Sequence, residues 1–210
     1  MLWKLERRVL NHVLATRFGA GPPRHLDFAC GTGRILAHLA GRTERSVGID
    51  VSESMLAVAR EVAPHADLRC LDLTRERLPE GERFDLVTAF RFFPRAEPEL
   101  REAAMAALAG LLAPGGLLIF NNHLNDTSLM RCLARRLGHG RQKGMSHDEA
   151  LALAARHGLT LAGCWPLGLL PLNDHVMAAP RLVRKVEWFA AQSFHLPRFA
   201  QDVVYVAARA

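Results

Sequence analysis

The stretch HLDFACGTGRIL, residues 25–36, decides the fold because it joins a strand pattern to a helix pattern through two glycines. A short apolar run with one acid, Asp27, ends at Gly31 and Gly33, and apolar residues then return at helical spacing. A glycine turn between a strand and a helix lets backbone N–H groups approach a ligand closely. The stretch therefore predicts a ligand-binding βα unit, although two glycines alone leave the ligand open.

Strand-like and helix-like segments alternate on both sides of this unit. Four βα units in a row favour an α/β fold with a parallel sheet and helices on both of its faces. The predicted strands are 25–30, 46–50, 66–73, 84–90 and 115–123, and the predicted helices are 2–18, 34–42, 53–62 and 97–112. In the helix 53–62, one apolar face is predicted to hold Met55, Leu56, Val58, Ala59 and Val62.

The second half of the chain is less regular. Ser146 and Glu149 have the spacing of a capping box, which predicts a helix to about His157. Two further strands are predicted, at 159–165 and 202–209, and a helix is expected around 181–193. The segments 124–145 and 166–201 are longer than simple connections.

Composition and charge limit the classes of protein that this chain can represent. Its 210 residues, half of them hydrophobic, fit one domain spanning 1–210. The net charge is +6, but the basic residues are dispersed, which argues against nucleic acid as the partner. No apolar run reaches the roughly 20 residues of a membrane span. The charged start MLWKLERRVL does not fit a signal peptide, so we expect a cytoplasmic protein with buried, reduced cysteines.

Three acids identify the ligand expected at the glycine loop. A dinucleotide fingerprint would place a third glycine where Leu36 stands, and Asp27 would repel a pyrophosphate but suit a cationic amine. Asp50, at the end of the second strand, is placed to accept both hydroxyls of a ribose, and Asp72 is placed to accept from an adenine amino group. An amine, a ribose and an adenine without a required phosphate describe S-adenosylmethionine.

At this point the chain resembles the class I S-adenosylmethionine-dependent methyltransferases. The matching stretches are LDFACGTGRIL, VGIDVSESMLAVAR, LRCLDL, FDLVTAF and LLAPGGLLIF, in the order and spacing of that family. The resemblance implies a Rossmann-like, doubly wound, seven-stranded sheet, mostly parallel, with an antiparallel C-terminal strand beside the fifth strand. The matching stretches define a cofactor-binding core in 22–123. The apolar pattern predicts an N-terminal helix in 1–20, and the length of 124–145 and 166–201 leads us to expect that these segments cover the acceptor.

The family pattern assigns cofactor contacts residue by residue. It places Asp27 at the methionyl amine, the loop around the methionyl group, Asp50 at the ribose and Asp72 at the adenine. S-adenosylhomocysteine would be the product, and no metal is expected. The full set of expected contacts is Asp27, Ala29, Gly31, Gly33, Asp50, Ser52, Met55, Asp72, Leu73 and Phe90.

The acceptor is the least defined part of the site. The stretch FRFFPRAEP after the fourth strand lacks the Pro-Pro tetrad and the Pro-Cys pair of base methyltransferases, and NNH does not supply a metal-binding pair. His123 titrates in the range of a general base, so it is the candidate catalytic residue. The candidate acceptor contacts are Arg91, Phe92, Phe93 and Asn122.

Three functions remain open from the residues alone. The first is a methyltransferase acting on an oxygen, nitrogen or carbon atom of a small molecule. The second is an RNA or protein methyltransferase, and the third is a non-catalytic S-adenosylmethionine-binding protein. Neither the acceptor nor the oligomeric state follows from the sequence.

Overall fold

The structural framework is one sheet of seven strands, seen in a computed structural model that describes residues 2–19, 21–138, 144–169, 185–186, 188–189 and 196–209. Continuous apolar runs form its central strands, as expected where both faces of a sheet are covered. The strands are β1 (Arg24–Phe28), β2 (Arg45–Asp50), β3 (Asp67–Cys70), β4 (Phe84–Ala89), β5 (Leu112–Asn122), β6 (Leu159–Leu167) and β7 (Asp202–Arg209).

The strand order is β3-β2-β1-β4-β5-β7-β6. β7 pairs antiparallel with both β5 and β6, and every other pair is parallel. The predicted Rossmann-like sheet, with its C-terminal strand beside the fifth strand, is confirmed. The chain order reverses between β1 and β4, and ligands of open α/β sheets bind at the carboxyl ends of strands at such a point.

Helices cover both faces of the sheet. They are α1 (Leu2–Arg17), α2 (Arg34–Leu39), α3 (Glu53–Val62), α4 (Pro98–Leu111), α5 (Leu129–Arg136) and α6 (His147–Arg156). The apolar side of α1 packs with Leu86 and Ile119 on one face, whereas α4 and α6 pack with Val87 and Phe120 on the other. Neighbouring residues of one strand thus pack into the hydrophobic cores on opposite faces of the sheet, because successive side chains of a strand point to opposite faces.

Two helices differ from their prediction. Leu56 and Ala59 are the buried residues of α3, while Met55, Val58 and Val62 are largely exposed. The reason is the position of α3 beside β2 and the edge strand β3, where little sheet remains to be covered. α5 was not predicted, and it buries no side chain against the described residues. α3 and α5 therefore gain little stability from burial against the described residues. The side chains of Ser52 and Ser128 cap α3 and α5 and mark where each helix begins.

Strand boundaries also shift. β1 ends at Phe28, so Ala29 and Cys30 belong to the loop, and β3 is shorter than the predicted 66–73. β5 begins at Leu112 rather than 115, with a register shift against β4 between Phe84 and Leu86. The shift accommodates the APGG stretch as an irregularity within the strand.

The four cysteines are free, as predicted, but not all are buried. Cys30 is buried and Cys164 is half-buried, whereas Cys70 on the edge strand and Cys132 on α5 are exposed. Most of the helix predicted around 181–193 lies outside the described residues. Within the part of the chain that the structure describes, no helix is long and apolar enough to span a membrane.

Candidate functional site

The glycine loop after β1 adopts left-handed backbone conformations. Gly33 has a φ of 75° and begins α2, and a Cβ added to it would lie 3.1 Å from the Cβ of Ala59. Gly31 has a φ of 53°, and a Cβ there would meet no heavy atom within 4 Å. Gly33 is therefore required for packing, whereas Gly31 lines open space at the edge of the sheet.

Asp50 joins this loop to the end of β2. Its Oδ2 accepts a hydrogen bond of 2.8 Å from the backbone N–H of Gly31, and its Oδ1 accepts one of 2.9 Å from that of Ser52. Ser52 in turn caps α3 by accepting from the N–H of Met55. The carboxylate keeps further lone pairs, since each carboxylate oxygen can accept more than one hydrogen bond.

Asp27 lies beneath the loop and is only 2% exposed. Its Oδ1 accepts a hydrogen bond of 2.7 Å from Thr88 Oγ1, but its buried Oδ2 has no partner among the described residues. Burial raises the pKa of Asp27 to about 7, against the opposing effects of the Thr88 hydrogen bond and the charge of Arg34. A buried acceptor without a partner costs about 1–3 kcal/mol, so Oδ2 has an unused capacity to accept a hydrogen bond.

A buried polar chain supports Asp27 from behind. His25 Nε2 lies 2.8 Å from Thr88 Oγ1, and His25 Nδ1 lies 3.3 Å from Ser46 Oγ. Because the Thr88 hydroxyl donates to Asp27, it accepts from His25 Nε2. Burial lowers the pKa of His25 to about 3, so the imidazole is neutral. These buried hydrogen bonds were not predicted, although polar residues within apolar strand runs are their signal in the sequence.

The turn after β3 carries Asp72 and Leu73. Asp72 Oδ1 accepts from the backbone N–H of Thr74 at 3.0 Å and from its hydroxyl at 2.6 Å, and these bonds lower the pKa of Asp72. The Leu73 side chain is buried in the core, which leaves its backbone for ligand contact. The Met55 side chain on α3 is 46% exposed and is not packed into the core.

The aromatic residues predicted to line the site, at the end of β4 and just after it, differ in their burial. Phe93 was predicted to contact the acceptor, but its ring is fully buried between Phe92 and Phe120, so it is a core residue. Phe92 is half-buried and lies edge-on to Phe28, with the ring centroids 4.8 Å apart. Phe90 is buried beneath α1. Phe92 is thus the predicted aromatic residue that stays partly open at this edge.

Arg91 has an unusual backbone conformation. Among the described non-glycine residues, positive φ occurs at Arg91 (63°) and Ala29 (53°), which follow the two central strands β4 and β1. The N–H of Arg91 donates to Asn121 Oδ1 at 2.7 Å, which holds this conformation. Such strained residues cost about 1–3 kcal/mol and cluster at functional sites.

The end of β5 holds Asn122 and His123. Asn122 is fully buried and donates to the carbonyl of Met145 at 2.6 Å, so its amide anchors that segment. His123 Nε2 accepts a hydrogen bond of 3.2 Å from Arg95 Nε. Burial, and then the positive charges of nearby arginines, lower the pKa of His123 to about 4. His123 is therefore a neutral and weak base, and the geometry favours a hydrogen-bond donor through Nδ1; its role as a general base stays a prediction.

A buried acidic network ties α1 to this edge. Glu6 is fully buried, and it accepts from Arg34 Nη1 and from Asn121 Nδ2, each at 3.3 Å. The Asn121 amide also donates to Asp202 at 3.1 Å. Burial and the charge of Glu6 raise the pKa of Asp202 well above its usual range. The sequence signal was an acid, Glu6, on the apolar face of a helix.

The residues that carry this site are similar to known methyltransferases. Residues 26–116 match the family model described as a methyltransferase domain. A dTDP-3-amino-3,4,6-trideoxy-alpha-D-glucopyranose N,N-dimethyltransferase from Streptomyces venezuelae is 36% identical over 97 residues, covering 45% of this chain and 40% of that protein. A ubiquinone biosynthesis O-methyltransferase from Pseudomonas fluorescens is 26% identical over an alignment that covers 78% of this chain and 76% of that protein. The chain spans less than half the length of the first two curated relatives it matches, 40% and 43%.

The fold extends beyond the matched residues. The S-adenosylmethionine-bound structure of CalS10, an amino pentose methyltransferase from Micromonospora echinaspora, has a TM-score of 0.68 at 22% identity and covers 99% of this chain and 92% of that chain. At this identity the similarity establishes the fold. The matched residues 26–116 contain the glycine loop, Asp27, Asp50 and Asp72.

Proposed function

We propose that the chain is a class I S-adenosylmethionine-dependent methyltransferase that moves a methyl group from S-adenosylmethionine to a small-molecule acceptor. The match of residues 26–116 to a methyltransferase-domain model supports the proposal. The observation that carries the proposal is the unpaired Oδ2 of Asp27, buried beside an open Gly31 in the described structure. A buried carboxylate next to a glycine loop fits a ligand with a cationic amine and would repel a phosphate.

The contacts proposed for the cofactor follow from these positions. Asp27 Oδ2 would accept from the methionyl amine, and the backbone of Ala29, Gly31 and Gly33 would enclose the methionyl group. Asp50 would accept from the ribose hydroxyls. Ser52, Met55, Asp72 and the backbone of Leu73 would bound the ribose and adenine. The ring of Phe90, predicted to close the site, lies buried beneath α1 and would support this edge from within the core.

The chemistry then depends on position more than on a strong acid or base. When bound, S-adenosylmethionine supplies an electrophilic methyl group on a sulfonium. The chain would hold the acceptor in line with that methyl group and exclude water, which accelerates a displacement without covalent help from the protein. In this proposal, Phe92 and the residues after β5 would contact the acceptor.

The relatives leave the methylated atom open. The Streptomyces enzyme is named for a sugar nitrogen and the Pseudomonas enzyme for an oxygen. We therefore propose an oxygen, nitrogen or carbon acceptor on a small molecule, and the products are the methylated acceptor and S-adenosylhomocysteine.

The proposal is tested by binding and transfer. Calorimetry should detect stoichiometric binding of S-adenosylmethionine and S-adenosylhomocysteine. Labelled methyl groups should then pass into the metabolite fraction of a cell extract, and not into its RNA or protein fractions. Failure to bind either compound would overturn the site, and transfer confined to RNA or protein would overturn the acceptor class.

A further inference from the structure

Positive charge gathers around His123 at the carboxyl ends of β4 and β5. Four guanidinium groups lie close enough for their charges to lower the pKa of His123. They come from separate parts of the chain: the glycine-loop helix, the segment after β4 and the exposed helix after β5. These residues are Arg34, Arg91, Arg95 and Arg131.

Carboxylates offset only part of this charge. Arg34 pairs with Glu6 at 3.3 Å, and Arg131 pairs with Asp126 at 2.9 Å. Arg91 shares Glu6 from a longer distance of 3.8 Å and keeps a side chain that is 48% exposed. Arg95 makes no ion pair with any residue that the structure describes. The guanidinium group of Arg95 is therefore without a paired carboxylate among the described residues, and that of Arg91 is only loosely paired with Glu6.

Arg91, Arg95 and His123 offer hydrogen-bond donors at this edge, and the buried Asn122 Oδ1 is an acceptor without a partner among the described residues. The Arg95 guanidinium donates to His123 Nε2, so the neutral imidazole carries its proton on Nδ1. That Nδ1 is buried and has no partner within the described structure. Arginine has five N–H donors and no acceptor, and it binds carboxylate or phosphate oxygens with good geometry. Two guanidinium groups and one N–H donor, gathered at one edge, fit an anion.

We propose that the methyl acceptor carries an anionic group, a carboxylate or a phosphate, which is bound by Arg91, Arg95 and the Nδ1–H of His123. The inference rests on the proposed function, because it places an acceptor beside the bound methyl donor. It also divides the site by charge. The acids Asp27 and Asp50 serve the cofactor on the β1 and β2 side, and the arginines serve the acceptor on the β4 and β5 side.

The test uses protein saturated with S-adenosylhomocysteine, so that the cofactor position is filled. Malonate, inorganic phosphate and the neutral analogue malonamide are titrated by calorimetry at constant ionic strength. We expect malonate or phosphate to bind and malonamide not to bind, and the preferred anion identifies the group. Arg95→Gln should weaken anion binding about tenfold or more, since charge-assisted hydrogen bonds are lost. Arg83→Gln, at an exposed arginine that donates to the Glu82 carbonyl, is the matched control and should not weaken it.

Nuclear magnetic resonance of ¹⁵N-histidine-labelled protein supplies a readout independent of activity. The His123 ring should show the Nδ1–H tautomer, and its signal should shift when the preferred anion is added. Equal binding by wild type and Arg95→Gln, or no anion binding at all, would overturn the inference. A loss of S-adenosylhomocysteine affinity in Arg95→Gln would also overturn it, because the arginines would then serve the cofactor. Failure of wild type to bind S-adenosylhomocysteine would instead reject the proposed function.

Discussion

The Asp50 carboxylate accepts a 2.8 Å hydrogen bond from the backbone N–H of Gly31, which ties the end of β2 to the loop that follows β1. The same carboxylate accepts from Ser52, so one side chain sets the position of the loop and of the entry into α3. Asp50 therefore combines a structural role with the proposed ribose contact. A variant at this position must be tested for both.

Asp50→Ala should weaken S-adenosylhomocysteine binding by about 1.5–3 kcal/mol, roughly 10- to 150-fold in Kd, because charged hydrogen bonds are lost. Calorimetry measures the affinity, and thermal unfolding checks that the variant is folded. Asp148→Ala is the control, since Asp148 is an exposed acid paired with Arg198. Wild-type affinity in a folded Asp50→Ala protein would contradict the ribose assignment.

Gly31→Val should abolish cofactor binding, because the new side chain would enter the open space above the loop and strain a backbone with a φ of 53°. Gly81→Val is a matched control, because Gly81 has a φ of 86° and equally open surroundings in a different loop. Both variants should lose some stability, and only the first should lose binding. Equal binding by the two variants would remove the loop from the site.

Cofactor binding should release protons below pH 7. In the free protein the pKa of Asp27 is raised to about 7, so its carboxyl group is largely protonated at pH 6. A bound cationic amine favours the ionised form and lowers that pKa, so up to about one proton should leave per cofactor. Calorimetry at pH 6 in two buffers of different ionisation enthalpy measures the release, which Asp27→Asn should eliminate. Binding to wild type with no proton release would show that Asp27 does not meet the amine.

The same group predicts how the stability of the free protein depends on pH. With a folded pKa of about 7 against an ordinary 3.8, folded Asp27 retains a proton that the unfolded chain loses between about pH 4 and 7. Stability from this group is therefore present below pH 4 and lost as pH rises to 7. Asp27→Asn should gain stability relative to wild type over that window, by up to about 4 kcal/mol for a three-unit shift.

Urea unfolding of both proteins at pH 5 and pH 8 measures this difference. The difference between the two proteins is compared because His25, present in both, changes the stability with pH in the direction opposite to Asp27. Its pKa is lowered to about 3, so its contribution to stability rises as pH increases from about 3 to 6.5. A relative stability that does not change with pH would contradict the raised pKa of Asp27.

Thr88→Val should destabilise the fold by about 1–3 kcal/mol and weaken cofactor binding. The change removes the hydroxyl between His25 Nε2 and Asp27 Oδ1, so both buried groups lose a partner. Thr160→Val is the control, because Thr160 lies on the edge strand β6 and its exposed hydroxyl donates to the Ala208 carbonyl. Equal losses in the two variants would leave the buried chain without a special role.

The position of the site followed from sequence, but the roles of several side chains did not. Strand ends and glycines predicted that Asp27, Asp50 and Gly31 would meet at one edge, and the structure brings them together. The sequence pattern could not show that Phe93 is buried and Phe92 partly open, because the burial of adjacent aromatic residues at a strand end is decided only when the core packs. His123 was assigned by its ordinary pKa, and the burial and nearby arginines that lower that pKa are properties of the folded chain.

The sequence by itself determined the alternation of strands and helices, the glycine loop and the resemblance to a methyltransferase domain, because apolar periodicity and turn residues act over short stretches of chain. Only the tertiary structure decided which polar groups share a buried environment. The Asn121 amide meets Glu6 and Asp202, which are 115 and 81 positions away, and Thr88 meets Asp27 across 61 positions. Such pairings, and the desolvation that shifts the pKa values of Asp27 and His123, exist only once distant segments are packed together.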